Sequence, residues 1–349
     1  MKILGILTCF ILALGAAYLA DIQSMIGGPM IGLIMGMLLV NIIPVLSAEF
    51  KAGTAFVSRK FLMLGIVLAG GTLSFTQVVG EGVKALPLIV VNLVIALGVA
   101  GIVGKKLRVS REAGILVGCG TGICGGTAIA TIAPIIKAKE EDIAYAMTAI
   151  FLFDVLAAFC FPYLANSIRL SDAQFGFLAG TAINDTSSVT AAQATFGALI
   201  GNSDYTLPVT IKLTRTTMLI VLAVAFTIFE VRRLRLAGVQ GDGLEQKISV
   251  GATIMQVFPW FVVYFLLMTL ANTIFHFSEI SLGSFTLAKA LSKAYKFLIT
   301  MALAGVGFKV KFKDLFTKGA RPIILGGCTW LCLAASSLAF VFLFQSFIE

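Results

Sequence analysis

The chain has 349 residues, 59% of them hydrophobic and 12% charged, with a mean hydropathy of +1.02. A soluble domain carries about 25% charged residues, so this composition excludes a soluble enzyme. The net charge of +9 sits mostly in short links between apolar runs, the pattern that orients membrane proteins rather than one that grips nucleic acid.

About 20 apolar helical residues cross a ~30 Å hydrocarbon core. By that measure the sequence predicts an all-α polytopic membrane protein with about eleven membrane segments, near 3–20, 28–46, 55–75, 85–104, 112–137, 141–168, 172–200, 205–230, 250–276, 286–308 and 322–346. The first has one lysine and an apolar run too long for a signal peptide, and further spans follow at once, so a retained helix is expected. Basic links follow segments two (Lys51, Arg59, Lys60), four (Lys105, Lys106, Arg108, Arg111), eight (Arg232, Arg233, Arg235, Lys247) and ten (Lys309, Lys311, Lys313, Lys318, Arg321). All are even, which places the N-terminus in the cytoplasm and the C-terminus outside. Lys289, Lys293 and Lys296 share one helical face turned to water or headgroups.

Two internal similarities stand out. Leu-Ala-Gly at 68–70 and Ala-Leu-Pro at 85–87 match Leu-Ala-Gly at 303–305 and Ala-Arg-Pro at 320–322 at one offset. An odd number of segments separates the copies, so they run oppositely through the membrane, as in the inverted repeats of secondary transporters. In the middle, Gly114, Leu116 and Gly118 match Gly176, Leu178 and Gly180. The first stretch continues through Gly122, Cys124, Gly125, Gly126 and Thr127, the second through Asn184, Asp185, Thr186, Ser187 and Ser188.

A helix is costly through such glycines, at about 1 kcal/mol each relative to alanine. Broken backbone is tolerated inside lipid only where protein or a watery cavity satisfies it. Freed amides attract anions and freed carbonyls attract cations. The two segments are therefore the candidate solute site, either as broken spans or as re-entrant hairpins, with close packing of small residues as the plainer alternative. If hairpins, they enter from opposite faces with segment six between them, and Lys137 and Lys139 join the cytoplasmic links.

Charges inside other spans suggest function by default. Asp154 lies within segment six; Lys212 and Arg215, spaced i, i+3, share one face of segment eight. Two readings stay open: an Asp154–Arg215 ion pair, or cations that hold an anionic solute while Asp154 or Asp185 answers a coupling ion. No nucleotide loop, catalytic triad or metal motif is present in the sequence, and the six cysteines form no CxxC pair and read as packing residues. Ser187 with Asp185 is the one weak nucleophile–base pair, so no enzyme is expected. His276 is expected at an interface, and Trp260 and Trp330 in packing or interface roles.

Residues 123–130 (Ile-Cys-Gly-Gly-Thr-Ala-Ile-Ala) and 180–192 (Gly-Thr-Ala-Ile-Asn-Asp-Thr-Ser-Ser-Val-Thr-Ala-Ala), with 27–41, Lys-Leu-Thr-Arg at 212–215 and Pro-Trp-Phe at 259–261, resemble a sulfate-exporter family of bacterial inner-membrane proteins. The resemblance covers nearly the whole chain. It implies a helical transporter distantly similar to bile-acid symporters and cation–proton antiporters, whose broken helices cross in a mobile core. Asn184 stands where many members carry histidine, and Ser187-Ser188 where they carry a more apolar pair, which argues against proton coupling through position 184.

The expected organisation is an N-terminal transmembrane helix (1–27), scaffold helices (28–111), a transport core (112–231), a cytoplasmic basic loop (232–249) and a second scaffold set (250–349). The expected function is secondary transport of a small anion, with sulfate or a sulfonate implied by the resemblance. The alternatives are a cation- or proton-coupled organic-acid transporter and an anion channel. The expected partners are the anion and the bilayer, with a homodimer allowed and no nucleic acid. The expectation includes no cofactor and no metal; a coupling Na+ or H+ is the open ion.

Overall fold

The computed structural model describes residues 1–22, 28–202, 204–236, 260–282, 285–309 and 320–348. Most of the basic loop expected at 232–249, and Gly27, Pro259, Lys311, Lys313 and Lys318, lie outside the described residues.

Inside lipid a backbone must satisfy itself, and the apolar runs accordingly form helices: α1 (Lys2–Ile22), α2 (Gly28–Ile42), the short α3 (Leu46–Glu49) and α4 (Lys51–Phe56), α5 (Leu62–Gly70), α6 (Phe75–Lys106) and α7 (Arg111–Gly122). There follow α8 (Gly126–Ile135), α9 (Glu140–Ser167), α10 (Asp172–Ala182), α11 (Thr186–Leu199), α12 (Leu207–Leu236), α13 (Trp260–Phe275), α14 (Leu287–Gly307), α15 (Ala320–Leu343) and α16 (Gln345–Ile348). A two-stranded hairpin precedes α14, with Ser281 opposite Thr286 and Leu282 opposite Phe285. Among the described residues six helices are long and apolar enough to cross a membrane: Lys2–Ile22, Lys51–Gly70, Phe75–Lys106, Glu141–Ser167, Leu207–Phe229 and Ile323–Leu343.

Two expectations need correction. Arg59 and Lys60 are not in a link: the helical run begins at Lys51, and both residues sit in a π-helical turn, Val57–Phe61, between α4 and α5. Segment four starts earlier than its apolar core, because α6 runs from Phe75 and carries Pro87 inside it. Pro322, its supposed repeat partner, lies instead near the start of α15.

Both central segments break and fold back. Phe175, early in α10, stacks on Phe196, late in α11, with ring centroids 3.9 Å apart. In a straight helix these residues would be roughly 30 Å apart at 1.5 Å per residue. Tyr205, beyond α11, donates to the carbonyl of Asp172, at the start of α10, at 2.5 Å. For α7 and α8 the closure is Ser110, just before α7, hydrogen-bonded at 2.5 Å to Asp142 in the first turn of α9, the helix that follows α8. The α7–α8 hairpin therefore opens at the start of α9 and the α10–α11 hairpin at its end.

The remaining helices wrap this pair. Gly36 of α2 and Gly307 of α14 let the two backbones touch, since a Cβ on either would strike Ala304 or Leu33 carbonyl oxygen. Trp330 of α15 stacks between Phe153 and Phe161 of α9, at 5.3 and 5.7 Å. Asp204, in the link after α11, accepts from Ser292 at 2.6 Å and Lys296 at 2.9 Å on α14. Burial pushes the Asp204 carboxyl up, but those two donors hold it below its ordinary pKa.

The hairpin geometry fixes sidedness. Single cysteines at Arg108 and Lys139, on a cysteine-free background, are expected to react with an impermeant thiol reagent from the same side of the membrane. Labelling from opposite sides would mean that residues 111–135 cross it.

Candidate functional site

The two hairpin tips meet at the middle of α9. At the first tip, Gly125 holds φ +62°, and a Cβ there would lie 3.2 Å from the Asp185 Cβ at the second. Glycine adopts this left-handed conformation without steric cost, so it both turns the chain and admits the other tip. Asp185 caps α11, its Oδ2 accepting from the Ser187 amide at 2.9 Å and, at short range, from the Ser187 hydroxyl. The polar run at 184–188 is thus partly a helix cap, and the Ser187–Asp185 pair is explained by it. Thr186 and Ser188 are buried beside them.

Asp154 of α9, 1% exposed, faces this cap. Its Oδ1 accepts from the backbone amides of Asn184 at 2.9 Å and Asp185 at 3.0 Å. Its Oδ2 has no hydrogen-bond partner among the described residues, nor has either amide atom of Asn184 or the hydroxyl of Thr121. Buried polar groups are normally satisfied, so these atoms mark a place built for something further.

Lys212 and Arg215 are each fully buried on α12 and face both hairpins. Lys212 Nζ donates to the carbonyls of Ile123 at 2.6 Å and Ile183 at 2.9 Å. Arg215 Nε donates to Gly122 at 2.8 Å, Nη1 to Thr181 at 2.7 Å and Ile183 at 3.0 Å, and Nη2 to Thr121. These carbonyls end α7 and α10, where a helix leaves its last carbonyls without partners and carries partial negative charge. One lysine and one arginine therefore clamp both helix ends at once. The expected Asp154–Arg215 ion pair is not among the ion pairs of the described residues; the guanidinium is occupied by carbonyls.

The first tip is more open than the second. Cys124 is buried and receives the Ala128 amide at its sulfur, while Gly126 is half-buried and Thr127 exposed. The N-terminus of α8 has no side-chain cap. Gly122 is buried against Leu93 and Ala96 of α6, and its role is its carbonyl.

Two contributors escaped sequence reasoning. Asn92, fully buried in α6, donates to Ser337 of α15 at 2.8 Å, and Thr181 of α10 donates to the same hydroxyl at 2.9 Å. This thread positions the residue whose carbonyl Arg215 holds; a lone asparagine in an apolar run was its signal. Lys309, just past α14, interacts electrostatically with Asp185 and Arg59. Its signal was hidden among the other basic link residues.

The fold and its polar centre define a helical membrane protein with paired broken segments. No solved structure matches the chain. The chain belongs to the family described as conserved hypothetical protein 698, which matches residues 4–326. Similar proteins include a UPF0324 membrane protein of Streptococcus agalactiae, 36% identical over 97% of this chain and 96% of that protein. A UPF0324 membrane protein of Fusobacterium nucleatum is 33% identical over the same shares, and one of Streptococcus mutans 35%.

The clamp makes a stability prediction. Arg215→Gln leaves several buried carbonyls unpaired and is expected to cost about 3–5 kcal/mol, read as a fall in thermal unfolding temperature in detergent. Adding Asp154→Asn should not restore it, because the two are not partners; recovery in the double variant would reinstate the ion pair. Gly125→Ala should cost about 1–3 kcal/mol from backbone strain, and an unchanged unfolding temperature would deny that the turn needs glycine.

Proposed function

We propose that the protein is a secondary transporter of a small anionic solute, working by alternating access. The observation that carries this reading is the meeting of two oppositely opening hairpins at a buried polar centre with unpartnered atoms. Broken helices of inverted repeats that meet near the midplane are how many secondary transporters build a solute site. On this reading the hairpins, with α9 and α12, are the mobile core of 112–231, and the other helices are the scaffold of 28–111 and 250–349. The two hairpins, related by inversion about the middle of α9, supply equivalent routes from the two sides.

Asp154 is the proposed coupling residue. Its carboxylate is buried and touches no cation among the described residues. A buried charge without a partner is costly, so a proton or Na+ beside Oδ2, within the reach of Asn184, would stabilise it. Asp185 is the second candidate, although its Oδ2 is engaged in the cap. Sulfate or a sulfonate is the proposed solute class, taken from the family resemblance at 123–130 and 180–192.

The test is uptake of radiolabelled sulfate and of ethanesulfonate into proteoliposomes, with and without Na+ and proton gradients. Saturable, gradient-driven accumulation is expected, and Asp154→Asn should abolish it, since the amide keeps an acceptor for the two backbone amides but cannot carry the coupling charge. Flux that never saturates would make the protein a channel. Full accumulation by the variant would remove Asp154 from coupling.

A further inference from the structure

If the solute is an anion, its positive counterpart must come from somewhere other than α12. Lys212 and Arg215 both donate to carbonyls of the hairpins. At the tips their two positive charges are matched by Asp154 and Asp185, so the centre alone is formally neutral. Such a centre gives an anion no net attraction.

Two cations on the outer helices face the same place. In the core, Ala191 of α11 packs in one cluster with Met30 and Leu33 of α2 and with Leu303 and Val306 of α14. Late α11 adjoins the start of α14, through Asp204 in the link that follows α11, so α11 and α14 run antiparallel. Thr190 and Gln193 of α11 line one cavity with Tyr295 and Ile299 of α14, so stepping back along α11 from Thr190 to Asp185 corresponds to stepping forward along α14 from Ile299 to about Ala304, little more than one turn short of Lys309. The charges of Lys309 and Asp185 interact accordingly. Arg59 approaches from the other side. Its neighbour Ser58 lies against Gly305, where an added Cβ would sit 3.3 Å from the Ser58 amide nitrogen, and Lys309 is one helical turn beyond Gly305. Arg59 also acts electrostatically on Lys309.

Arg59 has the marks of a functional charge. It lies inside a run apolar enough to span a membrane, where charged residues are costly. Its turn is π-helical, a distortion found often at functional sites. Neither the Arg59 nor the Lys309 side chain has a hydrogen bond or salt bridge to a described residue, and both are exposed. Asp185, on which the Lys309 charge acts, touches the first tip at Gly125, and beside that contact lie the uncapped α8 end at Gly126 and Thr127 and the side chain of Asn184, which has no hydrogen-bond partner among the described residues.

We propose that Arg59 and Lys309 form the outer half of an oxyanion site, and that a sulfate, sulfonate or carboxylate group binds between them and the hairpin tips at Gly126, Thr127 and Asn184. This rests on the anion-transport reading and supplies the charge that reading lacks. It also assigns the two halves of the site to different parts of the molecule. A planar arginine fork suits an oxyanion, and lysine adds a point charge.

The experiment is equilibrium binding of radiolabelled sulfate and of ethanesulfonate to the full chain in detergent. Arg59→Gln and Lys309→Gln should each weaken binding at least about tenfold, the effect of losing one charge-assisted contact. Their unfolding temperatures should match the parent, because neither side chain makes a structural hydrogen bond. Arg59→Lys should recover part of the affinity. Lys293→Gln, at the far end of α14, should leave it unchanged, which separates a local site from general surface charge. Parent-like affinity in both glutamine variants, or no binding of either probe to the parent, would overturn the proposal. Sulfate flux that persists in the Arg59 and Lys309 variants would sink this site and leave the transporter reading standing. Binding lost in the variants, in a protein that accumulates no anion in vesicles, would do the reverse.

Discussion

The structure depends on one interaction: two side chains of α12 reaching across to the carbonyl ends of two other helices. Breaking a helix inside a membrane leaves its last carbonyls without partners, in a medium with no water to take them. Here two helices, α7 and α10, break side by side, and the same two side chains of α12 reach both buried ends. Lys212 and Arg215 cover the carbonyls of Thr121, Gly122, Ile123, Thr181 and Ile183. Their positive charge also opposes the partial negative charge of both helix ends. Without this clamp those carbonyls would be left unpaired at the centre of the molecule.

The opposite helix ends are treated differently. At α11 the freed amides are taken by Asp185, and those of Asn184 and Asp185 by Asp154. At α8 no side chain serves that purpose. The centre therefore holds cations on carbonyls, carboxylates on amides, and atoms of Asp154, Asn184 and Thr121 with no partner among the described residues. A site in which most, but not all, polar atoms are satisfied is rigid and still has capacity for a ligand. The two tips differ in how their amides are held.

Much of this was legible in the sequence. Apolar runs of the right length give the helices, and the glycines at 120–126 with the polar run at 184–188 locate both breaks. Composition alone could not say what the charges touch. Arg215 and Asp154 look like an ion pair because opposite charges in lipid need partners, yet backbone carbonyls and amides are partners too, and they carry no letter in a sequence. Likewise Arg59 and Lys60 resemble a link, since hydropathy windows stop at charges; the helix runs through them because its other face, Gly53, Thr54, Val57 and Ser58, packs against the bundle. The hairpins were one of two open readings, decided by the contact of Phe175 with Phe196. Lys309 and Arg59 are far apart in sequence, and the packing of Ser58 against Gly305 brings their helices together.

The cations of α12 hold the two hairpin ends together, and the proposed solute contacts fall to other cations. Selenate tests this directly, because it copies sulfate and can be located by its anomalous scattering in crystals of the full chain. A selenium peak is expected between Arg59, Lys309 and the α8 end of the first hairpin, with Arg215 still on its carbonyls. A peak against Lys212 or Arg215, with those carbonyls released, would contradict it.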